Sequence, residues 1–113
     1  MAKDDTFLDA LGALEGVLAD NHERSKLIKR RIAALRSMSA KNATFTEMVA
    51  GSDGPLIVQL LTDSSTALDT CGAQVRRAEA EALYEEGLTM EQIAEVFGVT
   101  RQRVSALLRR AGD

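Results

Sequence analysis

The sequence predicts an all-α protein: a long helical hairpin, read as a dimerising helical bundle, followed by a C-terminal three-helix unit of the helix-turn-helix kind. Three observations carry this. No segment alternates apolar and polar residues at period two for long, which argues against strands. Two long stretches repeat apolar residues at spacings of four and three, the period of a helix–helix seam. The last third holds two short amphipathic stretches separated by a single Gly. Composition agrees, with one Pro and few aromatics among 113 residues. We divide the chain into residues 1–78, the bundle region, and residues 79–113, the helix-turn-helix domain.

In the first stretch, Thr6 with Asp9 resembles an N-terminal cap, and Met1–Asp5 are expected to fray. From there a row runs Phe7, Leu11, Leu14, Leu18, Asn21, Ser25, Ile28, Ile32, Leu35. One helix over Thr6–Ser37 is on the order of 45 Å long. Leu8, Val17 and Leu27 widen the apolar stripe, which suits a bundle better than a bare two-stranded coil. Asn21 and Ser25 interrupt it. Either they make a buried polar layer that sets register, or Ala19–His22 is a loop dividing two shorter helices, and the resumption of the row in phase favours the continuous helix. Arg24, Lys26, Lys29, Arg30 and Arg31 form a basic run. It reads either as a solvated face or as a set of phosphate contacts.

Ser37–Gly54 is the expected break. Thr44 and Glu47 fit a capping box before a single helical turn. Phe45 and Met48 are expected to lid the bundle. Gly51-Ser52-Asp53-Gly54 is a turn cluster, and Pro55 suits the first position of a new helix. A second row then runs Ile57, Leu61, Ser64, Leu68, Cys71, Val75, Ala78, Ala82, broadened by Leu56, Leu60 and Ala67. Gly87 ends that helix. Gly72 within it costs about 1 kcal/mol relative to Ala and marks a close approach or a soft point. Cys71 lies on the apolar row and reads as a small core residue. Leu11, Leu14, Leu18, Ile28, Ile32, Leu61 and Leu68 are the expected dimer interface, because two helices packed only on each other leave a wide stripe wet.

Ala80, Leu83 and Tyr84 close the second long helix and open the C-terminal unit. Thr89 is a good N-cap and Gln92 completes a capping box. Ile93, Ala94 and Phe97 then share one face. Gly98 suits the left-handed conformation that ends a helix. Val99 fills the turn, and Thr100 caps the next helix. Val104, Leu107 and Leu108 are its buried stripe. Its polar side carries Thr100, Arg101, Gln102, Ser105 and Arg109, with Arg103 and Arg110 further round. These seven are the candidate DNA-binding residues, since a second helix of this kind lies in the major groove.

At these residues the chain resembles two groups. Leu88–Val104, LTMEQIAEVFGVTRQRV, resembles region 4.2 of the primary bacterial sigma factors, which read a promoter element. YEEGLTMEQIAEVFGVTRQRVSALL also resembles the helix-turn-helix of invertases, resolvases and many small regulators. The resemblance covers about the last third of the chain. Gln102 stands where sigma factors usually carry Glu, and Ser105 and Ala106 where they carry Arg and Gln. The resemblance therefore implies the docking mode and not the promoter read. No polymerase-binding region of the sigma kind is visible upstream.

The formal net charge is −3, unusual for a DNA reader. Its distribution is informative: residues 101–110 hold four Arg and no acid, while Met1–Glu86 carries 10 Lys and Arg against 14 Asp and Glu. A basic tip on an acidic body fits a reader that avoids stray contacts. One Cys permits no intrachain disulfide. The opening MAKDDTF lacks an apolar core, and no apolar run is long enough for a bilayer, so a cytoplasmic, nucleoid-associated protein is expected. One His and one Cys far apart give no metal site. No phosphate loop or nucleophile with a base is present, so neither a cofactor nor an enzyme is expected. The expected partners are double-stranded DNA and a second copy of the chain, with no effector indicated. The competing readings are a module that binds RNA polymerase or another regulator, and a DNA-bridging nucleoid-associated protein.

Overall fold

The computed structural model describes residues 2–51, 54 and 56–112, with backbone alone for residues 2–5 and 110–112. Five helices follow in order: α1 (Ala2–Ala40), α2 (Phe45–Ala50), α3 (Ile57–Glu85), α4 (Met90–Phe97) and α5 (Arg101–Gly112). No strand occurs among the described residues. The chain divides into two compact units. One comprises residues 16–68, and the other residues 1–15 together with residues 69–113.

The continuous reading of the first helix holds. Its start does not: α1 begins at Ala2, so Thr6 lies within the helix and is no cap. Nothing in the sequence of residues 2–5 opposes helix, since it holds neither Gly nor Pro. Half-buried positions run Phe7, Ala10, Leu11, Leu14, Val17, Asn21, Arg24, Leu27 and Ile28, Arg31 and Ile32, Leu35, Met38. This is the expected period, turned slightly: Val17 and Arg24 face inward where the seam placed Leu18 and Ser25, and both of the latter are exposed.

In the unit of residues 16–68, α1 and α3 run antiparallel around a polar layer. The Asn21 side-chain amide donates to the Ser64 carbonyl at 3.3 Å. Arg24 donates to Asn21 Oδ1 at 2.6 Å and to Ser64 Oγ at 3.2 Å. The polar layer is thus made within the chain, with Arg24 in place of Ser25. The basic run is accordingly not one uniform face: Arg24 and Arg31 turn inward, while Lys26, Lys29 and Arg30 are exposed. Lys26 pairs with Glu23 at 3.1 Å, an exposed bridge of little energetic weight.

Asn42 at φ 63 ends α1. Asn tolerates this left-handed conformation through its short polar side chain, and the Ala43 N–H returns to the Met38 carbonyl at 3.1 Å. Thr44 caps α2 with a complete capping box, its Oγ1 accepting from the Glu47 N–H at 3.1 Å and its own N–H donating to Glu47 Oε1 at 2.8 Å. That backbone hydrogen bond, with one from the Thr44 side chain, holds the Glu47 carboxyl below its usual range. Met48 is buried as expected, but Phe45 is 83% exposed and lids nothing. Phe45 is the first residue of α2, and of that helix only Met48, one turn on, is buried.

Pro55 lies outside the described residues, and α3 begins at Ile57 rather than at a proline. Leu56 serves as the half-turn before it: its carbonyl accepts from Gln59 and Leu60, and its N–H donates to Gln59 Oε1 at 2.8 Å. Along α3, Leu60, Cys71, Ala78 and Ala80 are buried. Leu61 and Leu68, which the row placed at the seam, are 51% and 43% exposed. The nearest atoms to a Cβ at Gly72 would be those of the Arg76 guanidinium, at 3.3 Å. The glycine therefore makes room for that side chain. No helix among the described residues is long and apolar enough to cross a membrane.

Candidate nucleic-acid interface

The end of α3, α4 and α5 enclose one small apolar core. Ala80, Ile93, Ala94, Val104 and Leu107 are buried in it, with Leu83, Leu88, Met90, Phe97 and Leu108 packed around them. Ile93 and Val104 are wholly inaccessible. Ala80 and Ala94 matter by being small, since a larger side chain at either would hold the helices apart.

The connections are built from backbone hydrogen bonds the sequence supplies. After Glu85 the chain turns through Gly87, whose φ is 102. Thr89 caps α4 through a capping box, its Oγ1 accepting from the Gln92 N–H at 3.1 Å and its N–H donating to Gln92 Oε1 at 2.8 Å. Gly98 is left-handed at φ 68, ψ 34. The Val99 N–H then reaches back to the Ala94 carbonyl at 3.0 Å. This is the crossed closure that satisfies the last carbonyls of a helix. Val99 itself is 40% exposed, so its backbone rather than its side chain makes the turn. Thr100 Oγ1 accepts from the Arg103 N–H at 3.1 Å and starts α5.

With Val104 and Leu107 inward, the spacing of about 100° per residue sets the rest of α5. Gln102 and Arg109 point away from the core and are exposed, and Ser105 and Ala106 border them, half-buried. Arg101 and Arg103 are exposed on opposite flanks. Arg101 lines a groove with Tyr84, Gly87, Leu88, Thr89, Met90 and Glu91. Arg103 faces α3: it lines one depression with Arg76, Glu79, Val96, Phe97, Val99 and Leu107, and a second with Ala73, Arg76, Arg77, Ala106 and Leu107. The side chain of Arg110 lies outside the described residues.

Arg76 and Arg77 were not among the sequence-derived candidates, which sought flanking cations in Arg24–Arg31. The arginine pair stands one turn before Ala80, on the helix already assigned to lead into the unit, and that was the available signal. Three guanidinium-bearing side chains therefore meet beside α5, with Glu79 the acid among the residues lining the depressions. The Nε of Arg77 is buried without a hydrogen-bond partner.

Chemically, the outward face offers an amide, a hydroxyl and a guanidinium, groups that can hydrogen-bond base edges. The flanks offer cations of the kind that position a protein on phosphates without reading sequence. Of the residues expected at the dimer interface, Leu11, Leu14, Ile28 and Ile32 are half-buried within the chain, and Leu18, Leu61 and Leu68 are exposed.

Residues 81–112 match the family model of sigma-70, region 4. No curated protein and no solved structure matches the chain. The matched segment holds the last turn of α3 with all of α4 and α5. It is a helix-turn-helix of the DNA-binding type found in that sigma region.

Proposed function

We propose that this chain is a sequence-specific DNA-binding transcriptional regulator, not an enzyme, acting as a homodimer in the cytoplasm on the nucleoid. The observation that carries the reading is the outer face of α5. Gln102 and Arg109 are exposed there with Ser105 beside them, on a helix held by two capped turns and a closed core. In this reading Gln102 and Ser105 touch base edges, with Thr100, Arg101, Arg103, Arg109 and Arg110 at bases or nearby phosphates. Arg76 and Arg77 join Arg103 as phosphate contacts.

Pairing rests on Leu18, Leu61 and Leu68. Large apolar side chains at this exposure, in a row of period seven on α3, leave a face that a second copy would cover. Leu11, Leu14, Ile28 and Ile32 would border it. Two linked readers also overcome the weakness of one short helix through effective concentration.

Selection of bound duplexes from a random pool, followed by binding across a salt series, tests the proposal. An inverted repeat with half-sites about 34 Å apart, or at a multiple of that distance, is expected for a two-fold dimer. Steep salt dependence should accompany sequence preference. An absence of DNA binding would favour a module that docks on RNA polymerase or another regulator. Binding that bridges two duplexes without preference would favour a nucleoid-organising role.

A further inference from the structure

At the end of the unit formed by residues 16–68, three elements leave a cavity of about 320 Å³. One face of α1 supplies Arg31, Ala34, Leu35 and Met38, the C-terminal end of α2 supplies Val49, and Leu56 with Ile57 and Val58 at the start of α3 completes the wall. This is within the size range of small-ligand sites, and the wall is apolar as theirs are. Arg31 is the one charged residue among the described lining residues.

Two features of Arg31 are not explained by packing. Its Nε is buried and has no hydrogen-bond partner, and buried donors are normally paired. Its guanidinium also occupies space that only a glycine leaves open: a Cβ on Gly54, at φ +80, would stand 2.7 Å from Nη2. At the same site Val49 and Val58 stay exposed to solvent. An apolar wall, one cation with an unsatisfied donor and an open apolar rim describe a receptor for an amphiphilic anion. They do not suit a metal, since no carboxylate, thiol or imidazole is among the described lining residues, nor a cation, which Arg31 would repel.

We propose that this cavity binds a small carboxylate with an apolar body. At roughly 30 Å³ per heavy atom, by analogy with the volume of a water, the space suits about ten such atoms. The carboxylate accepts from Arg31, and the hydrocarbon lies against Leu35, Met38 and Ile57 and covers Val49 and Val58. The site is separate from the helix-turn-helix and does not rest on the DNA-binding reading.

The test is titration of the full chain with sodium octanoate and with 1-octanol, a neutral probe of the same length, followed by calorimetry and by NMR of the Arg31 side-chain Nε–H. Octanoate should bind once per chain, about tenfold or more tighter than 1-octanol, as expected for a charged hydrogen bond, and should shift the Arg31 Nε–H resonance. Arg31→Gln should remove that advantage and leave 1-octanol unaffected, and Ala34→Phe should exclude both probes. The NMR measurement on the unaltered chain decides the matter should either variant fail to fold. Equal affinity for the two probes, no binding, or shifts confined to Leu61 and Leu68 would overturn the proposal. So would Val49 and Val58 found covered by a second copy of the chain in the absence of any ligand.

Discussion

Gly98→Ala isolates the turn that sets the recognition helix. The Cβ introduced there would meet nothing within 4 Å, so no steric clash contributes to the cost. What remains is backbone: φ 68 and ψ 34 lie in the left-handed well, which costs an L-residue roughly 1–2 kcal/mol. The folded-to-unfolded ratio of this small unit should fall roughly 5- to 30-fold. Gly12 provides the internal comparison. It also has open space around its Cβ but sits inside α1, where Ala is favoured by about 0.5–1 kcal/mol. The two glycine-to-alanine changes should therefore move stability in opposite directions. Urea denaturation followed by far-UV circular dichroism, with Tyr84 fluorescence as a probe near the helix-turn-helix, measures both. A neutral or stabilising Gly98→Ala would refute the left-handed turn and the direction it gives α5. Loss of DNA binding at a temperature where the variant stays folded would show that the alanine distorts the turn instead of destabilising it.

Ile93→Ala should destabilise the same unit by about 2–5 kcal/mol, since Ile93 is wholly buried and its neighbours can collapse only in part; thermal melting reads this. Gln102→Ala should cost roughly 1–3 kcal/mol at a single base pair and little elsewhere, and a uniform loss on all duplexes would make Gln102 a backbone contact. Arg76→Ala or Arg77→Ala should weaken binding evenly across sequences and lower the salt slope by about one, whereas an unchanged slope would leave these arginines off the phosphates. Leu61→Asp with Leu68→Asp should give a folded chain of half the wild-type mass in light scattering, because both side chains are exposed within one chain. A wild type already monomeric at micromolar concentration would end the pairing proposal. The Glu47 carboxyl is held below its usual range by Thr44, so its support for α2 is present above the ordinary carboxylate pKa. It should be lost as pH falls through the lowered value. Amide exchange in α2 should follow that titration, and Glu47→Gln should abolish the pH dependence while keeping the cap.

Local chemistry was legible wherever a side chain acts on backbone close by in sequence. Thr44 with Glu47, Thr89 with Gln92, Thr100, and the positive-φ glycines at 87 and 98 all stand where the residue types placed them. These are short-range hydrogen bonds and steric limits, complete within four or five residues, so the sequence by itself determined the helix ends and the closed core of the helix-turn-helix. The register of the long helices was not determined this way. Apolar residues at adjacent positions, Val17 with Leu18, Leu60 with Leu61, and Ala67 with Leu68, let either neighbour face inward, and the period alone does not choose. Packing chose the first of each pair, bringing Asn21 opposite Ser64 and making a bond between residues 43 positions apart. The same rotation turned Arg24 and Arg31 inward from a run that reads as a solvated face or as a set of phosphate contacts. Only the tertiary structure placed Arg76 and Arg77 beside Arg103, and Arg31 at an apolar cavity. Each of those arrangements depends on the angle between helices, which is set by side-chain volumes on both partners at once.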